Sequence, residues 1–218
     1  MYTEAFGRAS YLVSRSRGKK STVSKALFIP LSVLEMEVEH LNKRDLHRIK
    51  ETRICFPLND VCCDPVKNVL ALFLSEVLFR VVKDTEPDPR LFDYLYESIH
   101  LLEYADKGIA NFHMVFLLGL LHHLGIFPNM ESHRVGYYFD MLNGVFTDHI
   151  PMHRHYLNKV ESAFFSRLLR ISFENMSLYG FSRQERVRII HRILEYYCLH
   201  LPDFPEIKSL SVMQSLFD

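Results

Sequence analysis

The stretch from Ile109 to Asn129 most constrains the fold of this chain, because its apolar side chains point around most of a helix circumference. Such a helix has to be covered by other helices, so the pattern predicts a core helix. Its longest apolar run, Met114 to Leu118, is far shorter than the roughly 20 residues that a membrane span needs. Gly125 and Pro128 are typical of a helix end. We therefore expect a buried core helix and no membrane partner.

Charge is distributed unevenly along a chain whose net charge is zero. Residues 1–53 contain eleven Lys or Arg against six acids, whereas the remaining residues contain 15 of the 26 bases and 20 of the 26 acids. This asymmetry predicts a small basic module attached to a larger acidic one, with a polyanion as the partner of the basic module.

The four cysteines, Cys55, Cys62, Cys63 and Cys198, show no C-x-x-C spacing, which is typical of a reduced, cytoplasmic protein. Residues 1–25 lack the apolar segment of a cleavable signal sequence. We therefore expect a cytoplasmic location.

Residues 1–57 show strand signals. Ser10 to Val13 is short and β-prone, and Leu34 to Glu39 alternates apolar and acidic residues with period two. After turn residues Asn42 to Asp45, Leu46 to Lys50 resumes as a strand, so these segments predict a hairpin with a basic tip. Residues 15–21 predict a basic loop between the first strand and the hairpin.

From Asp64 onward the apolar period becomes helical. Asp64-Pro65 and Asp88-Pro89 each predict a helix start, and the second helix is expected to stop at Gly108. A further helix is expected from Val160 to near Gly180. The capping box that begins at Ser182 opens another, and a short amphipathic helix ends the chain.

A small β-ribbon is expected between residues 137 and 147, because Asn143-Gly144 is a strong hairpin signal. Four histidines, His133, His149, His153 and His155, surround it. Pro151 prevents His149 and His153 from sharing a helix face, so we favour a solvated histidine-rich loop over a metal site.

Enzyme signatures are absent from the sequence: there is no G-x-S-x-G, no phosphate-binding glycine loop and no H-E-x-x-H. We expect no catalytic residues and no cofactor. The basic region is more informative, because its cations could follow a phosphate backbone while Tyr2, Phe6 and Tyr11 offer stacking faces. The alternative is an ordinary solvated surface. The candidate DNA-binding residues are Arg8, Arg15, Arg17, Lys19, Lys20, Lys25, Lys43, Arg44, Arg48 and Lys50.

An ordered set of short segments spread along the chain resembles the RecO family of bacterial DNA repair proteins, in its Bacteroidetes-type form. The segments are residues 2–13, 48–51, 72–78, 110–113, 124–129, 138–140, 196–204 and 208–210. No single segment is a signature, but together they cover nearly the whole chain.

This resemblance implies an α+β, mostly α fold: a partial N-terminal OB-fold β-barrel at residues 1–57, which binds DNA, followed by an all-helical domain at residues 64–218 that carries the ribbon. It also implies a non-enzymatic recombination mediator, nucleoid-associated, that binds single- and double-stranded DNA and anneals complementary strands. The implied protein partners are RecR, single-strand DNA-binding protein and, indirectly, RecA. Family members hold the acidic, Phe-ending tail of single-strand DNA-binding protein in the helical domain, but no motif places that pocket on named residues.

Two departures from the family pattern qualify these expectations. Many RecO proteins carry a four-cysteine zinc site around the ribbon, and this chain has no cysteine there, so we expect no structural zinc unless the histidines substitute for it. Tyr2-Thr3-Glu4 resembles the interior of the family sequence, so one or two strands are expected to be missing before it and Met1 is a candidate misassigned or truncated start. A barrel without its first strand has an unpaired edge.

Two other function classes stay open from the sequence. The first is a protein-interaction module that binds RecR or single-strand DNA-binding protein through the helical domain and does not bind DNA itself. The second is a metal-dependent hydrolase that uses the histidines near the ribbon.

Overall fold

The fold is described from a computed structural model, in which residues 1–13, 24–41, 44–83 and 86–216 are described. Two compact units are present, Met1–Ala105 together with Ile207–Leu216, and Asp106–Glu206. Both combine helices with small sheets, which confirms the predicted α+β class with a partial N-terminal β region. The predicted division into domains at residues 57–64 stays a prediction.

The described strands and helices have the following bounds. The strands are β1 (Tyr2–Thr3), β2 (Gly7–Arg8), β3 (Ser10–Leu12), β4 (Leu34–Glu39), β5 (Leu46–Ile54), β6 (Tyr138–Asp140), β7 (Val145–Thr147) and β8 (Tyr156–Leu157). The α-helices are α1 (Asn59–Cys63), α2 (Pro65–Val81), α3 (Pro89–Tyr104), α4 (Ile109–His123), α5 (Lys159–Leu168), α6 (Arg183–His200) and α7 (Ser209–Leu216).

In the first unit, β1 and β2 form a two-stranded hairpin, and the next three strands form a sheet of order β3-β5-β4. β3 runs parallel to β5, whereas β4 and β5 form the predicted antiparallel hairpin. β5 continues four residues beyond the predicted Lys50, because residues 51–54 pair with the start of β4.

Local capping explains why the helices of the first unit begin where the sequence predicts. The Asp64 carboxylate accepts hydrogen bonds from the backbone N–H groups of Val66 and Lys67 at the start of α2, and Asp88 does the same for the first turn of α3. Helix α1 was missed by the periodicity, because it is five residues long. Two N–H groups of its first turn, at Asp60 and Val61, donate to the buried carboxylate of Glu103 on α3.

Helix α7 is attached to α2 through the carboxylate of Glu76. This carboxylate accepts hydrogen bonds from the backbone N–H groups of Lys208 and Ser209 and from the Ser209 hydroxyl. Partial burial raises the pKa of Glu76, but the hydrogen bonds from Ser209 and Lys208 outweigh burial and hold its pKa below the ordinary value.

We expect the attachment of α7 to weaken in acid. A carboxyl group whose pKa is lower in the folded state stabilises the fold above its unfolded pKa, and that stabilisation disappears as the pH falls through the folded pKa. The protection of the α7 amides, measured relative to the intrinsic exchange rate at each pH, should therefore decrease below about pH 4.5, the ordinary Glu value. Glu76→Gln should show fast exchange already at pH 7. If α7 exchanges equally slowly in both proteins, the hydrogen bonds to Glu76 do not hold this helix.

In the second unit, α4 is the core helix that the sequence predicts. Ten of its fifteen residues are buried, including Asn111 and His113. Asn111 donates to the carbonyls of Met176 and Tyr179. Burial and the nearby positive charge of Arg186 lower the pKa of His113 to about 3, so this imidazole is neutral at physiological pH. The Tyr197 hydroxyl on α6 donates to the carbonyl of Leu117, 2.7 Å away, which ties α6 to α4.

The predicted helix ends differ from the structure at two places. Helix α3 ends at Tyr104, and Gly108 instead caps the start of α4 with a left-handed backbone conformation. Helix α5 ends at Leu168 rather than near Gly180. The Asn175 side chain closes a turn after α5, because it accepts from the Ser172 N–H and donates to the carbonyl of Arg170.

The predicted ribbon is present as β6 and β7, and a third strand, β8, extends it to the order β7-β6-β8. Its turn requires glycine at Gly144, where φ is +65° and an added Cβ would lie 2.7 Å from the Tyr196 hydroxyl. Phe139, on β6, is fully buried on the covered side of the ribbon. Its ring contacts those of Phe146 on β7, Phe165 on α5 and Tyr196 on α6. No helix among the described residues has the length and apolar character that crossing a membrane requires.

Candidate nucleic-acid interface

The β4–β5 hairpin carries two of the candidate DNA-binding residues. The alternating pattern of β4 turns Leu34, Met36 and Val38 toward the partly covered face and leaves its three glutamates exposed. On β5, His47 and Ile49 are buried, whereas Arg48 and Lys50 are exposed. The hairpin therefore presents Arg48 and Lys50 on its exposed face, whereas Asn42 and Lys43 of the predicted basic tip lie outside the described residues.

The cross-strand register places an acid next to each of these cations. Glu39 is the register partner of Arg48. Lys50 Nζ lies 3.9 Å from Glu37 Oε1. Farther along, Arg53 donates to Glu35 at 2.9 Å. Exposed pairs of this kind contribute little stability, but they cancel the local field. The outer face of the hairpin therefore has mixed charge rather than a positive surplus.

The covered side of the hairpin contains a stack of aromatic and imidazole rings. Phe6 stacks on His40, which stacks on His47, with ring centroids 3.9 Å apart in both pairs. Tyr11 lies tilted against His47 at 5.7 Å. Burial raises the pKa of Tyr11, while a hydrogen bond with Thr3 lowers it in part, and the net change is upward. Phe6 and Tyr11, two of the three residues predicted as stacking faces, are therefore engaged within this ring stack.

Tyr2, the third residue predicted as a stacking face, lies elsewhere. Its hydroxyl donates to the carbonyl of Asp88 at the start of α3 and accepts from the Asp88 N–H. The structure thus uses Tyr2 to attach the first strand to a helix start. Phe6 is the most exposed of the three, with 36% of its surface accessible.

Arg8 is separated from the hairpin cations and serves the end of α2. Its guanidinium donates to the carbonyls of Phe79 and Val82, at 3.0 and 2.8 Å, and lies 4.7 Å from the centre of the Phe79 ring. Carbonyls at a helix C-terminus have no partner within the helix, so a cation there satisfies them. The structure therefore gives Arg8 a capping role that needs no nucleic acid.

The other candidate cations divide between described and undescribed residues. Lys25 lies in a short 3-10 helix, Lys25–Leu27, and is exposed, as is Arg44 before β5. The remaining five candidates lie outside the described residues: Arg15, Arg17, Lys19, Lys20 and Lys43. The structure brings Arg48 and Lys50 together on one strand, and the DNA-binding role of the whole set stays a prediction.

Three of the four histidines near the ribbon lie beside a different carboxylate, and the rings of His153 and His155 lie tilted against each other with centroids 6.4 Å apart. His153 Nε2 lies 3.2 Å from Asp140 Oδ1, and His155 Nδ1 lies 3.4 Å from Glu195 Oε1. His149 contacts the neighbouring Asp148, and His133 packs edge-on against Phe146. Across the described part of the chain, no three His, Cys, Asp or Glu side chains converge in a way that could hold a metal ion.

Asp140 is the polar centre of the ribbon turn. Its carboxylate accepts from the backbone N–H groups of Leu142 and Asn143 and from the Asn143 side chain. Burial raises the pKa of Asp140, but the hydrogen bonds from Asn143 and His153 outweigh burial and lower it. The ribbon turn is therefore held by protein hydrogen bonds around one ionised carboxylate.

The second unit has a groove that the sequence does not predict. It has a volume of about 510 Å³ and lies between α5 and α6, beside β8. Its apolar lining is Leu157, Val160, Phe164, Phe165, Leu168 and Ile189, and its charged rim is Glu161, Glu185, Arg188, His191, Arg192 and Glu195. The helical period groups Val160 with Phe164 and Leu168 on one apolar face, but Val160 is 81% exposed, so only the structure shows that part of this face is left uncovered.

Comparison with known proteins identifies the family. Residues 63–210 match the family model described as "Recombination protein O C terminal", which covers α2 through the first two residues of α7. The chain is similar along its whole length to curated proteins named "DNA repair protein RecO". The relative from Bacteroides fragilis is 44% identical over 219 residues, covering 100% of this chain and 90% of the relative.

Two further relatives extend the similarity. The DNA repair protein RecO of Azobacteroides pseudotrichonymphae is 42% identical over 216 residues, which is 99% of this chain and 90% of the relative. That of Porphyromonas gingivalis is 37% identical over 222 residues, which is 100% of this chain and 91% of the relative. A match of this extent includes both the N-terminal β region and the helices, and it supports a role in DNA repair and recombination. The chain belongs to the RecO family of DNA repair proteins.

Proposed function

We propose that this chain is a non-enzymatic recombination mediator. In this proposal it binds single- and double-stranded DNA, anneals complementary strands and, with RecR, helps to load RecA onto DNA coated by single-strand DNA-binding protein. The observation that carries the proposal is similarity along the whole chain to proteins named for DNA repair, including the basic N-terminal region. The proposed function requires no cofactor.

Residues 14–23 are the most important part of the proposed DNA interface. On the β4–β5 hairpin, glutamates accompany Arg48 and Lys50, which weakens the attraction of that face for phosphate. Residues 14–23 contain four cations and no acid. We therefore assign most of the phosphate contacts to Arg15, Arg17, Lys19 and Lys20, with Lys25, Lys43, Arg44, Arg48 and Lys50 at the margin. Arg8 contributes least, because its guanidinium is engaged at the end of α2.

Salt dependence tests this proposal directly. Each phosphate contact on a single strand contributes about −0.7 to the slope of log affinity against log salt, so about four to six contacts predict a slope of about −3 to −4. The affinity for a labelled oligonucleotide, followed by fluorescence anisotropy, gives this slope. A slope near zero would contradict DNA binding.

Charge reversal at Arg15, Arg17, Lys19 and Lys20 should nearly abolish oligonucleotide binding and leave the far-UV circular dichroism unchanged. A matched control reverses the same number of charges on exposed cations of the second unit: Arg154, Lys159, Arg167 and Arg170. The control should weaken binding only slightly, through net charge. Equal losses in the two variants would remove the assignment to residues 14–23.

The groove between α5 and α6 favours a second function, binding of a protein partner. The C-terminal phenylalanine of an acidic peptide suits the apolar lining of this groove, and Arg188 is the rim cation that we assign to its terminal carboxylate. Glu161, Glu185 and Glu195 on the rim leave little attraction for the acidic residues that precede it. Arg192 contributes less, because it already pairs with Glu195 at 2.8 Å and Glu161 at 3.2 Å. We therefore assign the tail of single-strand DNA-binding protein to this groove.

A labelled peptide of four aspartates followed by a C-terminal phenylalanine tests this assignment. Val160→Asp and Arg188→Ala should each weaken peptide binding about fivefold or more, and so should amidation of the peptide terminus. Val135→Asp is the matched control, because Val135 is 97% exposed and does not line the groove. Peptide binding that survives both groove variants would exclude this site. Peptide binding in a protein that lacks oligonucleotide binding would favour the interaction-module alternative over the mediator.

A further inference from the structure

Helix α3 of the first unit carries a row of rings on its outward side. Phe92, Tyr96, His100 and Tyr104 follow one another at intervals of four residues. Phe92 stacks on Tyr96 at 6.5 Å, and His100 lies against Tyr104 at 4.6 Å. Phe56, which follows β5, meets Tyr96 and His100 edge-on at 5.6 and 5.2 Å. We call these five residues the aromatic ladder.

The aromatic ladder is not part of the core of its unit. The buried side of α3 consists of other residues, among them Leu91, Leu95, Ile99 and Leu102. In contrast, His100 is exposed and Tyr104 has 57% of its surface accessible. Phe56, Phe92 and Tyr96 are half-buried, so the ladder is only partly covered. Aromatic side chains contribute a large favourable free energy when they are covered, so a partly exposed row of rings is typical of a binding surface.

Two exposed carboxylates share the stripe of α3 that contains Tyr104. Asp93 and Glu97 precede Tyr104 by eleven and seven residues, which places each of them within about 20° of Tyr104 around the helix axis, on opposite sides. Arg90, in the first turn, is the cation on this side of the helix. The central and C-terminal part of the ladder therefore combines π-faces with negative charge.

We propose that the aromatic ladder binds an extended, arginine-bearing segment of a partner protein. A guanidinium stacks on aromatic rings and pairs with carboxylates, so both features of this surface attract it. Rings four residues apart on a helix recur about every 6 Å. Side chains on one face of an extended strand recur at about 6.6 Å, so arginines at alternate positions match the ladder. Nucleic acid fits less well, because Asp93 and Glu97 repel phosphates.

Binding of a defined peptide to the full-length protein tests this proposal. The probe is fluorescein-labelled Thr-Arg-Thr-Arg-Thr-Arg-Thr, and the control peptide has glutamine in place of each arginine. We expect saturable binding of the arginine peptide, weaker binding of the lysine version and none of the glutamine peptide. Failure of the arginine peptide to bind better than the glutamine peptide would overturn the proposal.

Variants of exposed residues locate the binding. Tyr104→Leu should weaken peptide binding about threefold, the loss of one exposed cation–π contact. The double variant Asp93→Asn with Glu97→Gln should weaken it about fivefold or more. Glu206→Gln, an exposed acid of the second unit, is the matched control and should bind as the unchanged protein does. Thermal unfolding of each variant should match that of the unchanged protein, because every altered side chain is exposed.

A second probe separates a peptide surface from a nucleic-acid surface. A labelled oligothymidine of twelve nucleotides should keep its affinity in Tyr104→Leu. If the oligonucleotide loses affinity in this variant while the arginine peptide does not, the ladder stacks bases and the proposal is wrong. Equal peptide binding by all variants, including Asp93→Asn with Glu97→Gln, would also overturn it.

Discussion

Replacing Glu103 with alanine is expected to destabilise the protein by about 3–5 kcal/mol. Glu103 is 3% exposed, and its carboxylate accepts the backbone N–H groups of Asp60 and Val61 at 2.9 and 3.0 Å. Hydrogen bonds to a buried charged group contribute about 1.5–3 kcal/mol each, and their loss leaves two N–H groups without acceptors. Helix α1 should detach, because both N–H groups belong to its first turn.

The same change also affects a neighbouring buried cation. Lys67 is 5% exposed, and its amino group donates to the carbonyl of Glu103 and to the carboxylate of Asp60. Once α1 detaches, Asp60 no longer compensates this charge, and an uncompensated buried charge is strongly destabilising. Chemical denaturation monitored by circular dichroism measures the total loss.

Glu97→Ala is the matched control for Glu103→Ala. Glu97 is an exposed glutamate on the same helix, so its removal should change the free energy of unfolding by less than about 0.5 kcal/mol. If Glu103→Ala falls within the same limit, the carboxylate does not hold α1.

Replacing Phe139 with alanine is expected to cost about 3–5 kcal/mol, the usual range for a large aromatic side chain removed from a core. Phe139 is 0% exposed and contacts the rings of Phe146, Phe165 and Tyr196. The β6–β7–β8 ribbon should lose its attachment to α5 and α6, because these rings come from all three elements. Native-state amide exchange in the ribbon, together with the free energy of unfolding, measures the effect.

Phe164→Ala is the control, because Phe164 lies on the same helix as Phe165 but is 37% exposed. Its cost should be less than half that of Phe139→Ala.

We further expect that a chelator leaves the melting temperature of the protein unchanged, since Asp140 and the buried rings hold the ribbon. Stoichiometric zinc in the purified protein, or a melting temperature that falls on chelation, would show that the histidines substitute for the cysteines of relatives.

Much of the secondary structure could be predicted, because its signals are local. The Asp64-Pro65 start of α2 and the Ser182 capping box of α6 act through side chains within three residues of the backbone that they satisfy. The alternation of β4 likewise depends on neighbouring residues alone. Strand β8 and helix α1 could not be found in this way. β8 exists because Leu157 pairs with Phe139, and α1 because Glu103 accepts two N–H groups of its first turn.

The candidate site was predicted only in part. The composition of residues 1–53 indicated a basic module, and the structure does place Arg48 and Lys50 on an exposed strand face. Composition could not show that Glu39 and Glu37 lie beside these cations, because register depends on pairing between strands. The groove between α5 and α6 was missed for a related reason, since it is formed by two helices that are separate in sequence.

The sequence by itself determined the buried helix α4, the capped helix starts, the β4–β5 hairpin and the family resemblance, since each depends on residue type at short spacing or on order along the chain. The tertiary structure alone decided which charges are neighbours. It engages Arg8 at the end of α2, pairs the hairpin cations with glutamates and joins Phe56 to the rings of α3. The physical reason is that electrostatic and ring contacts act over a few ångströms in space, and only folding brings distant residues to that separation.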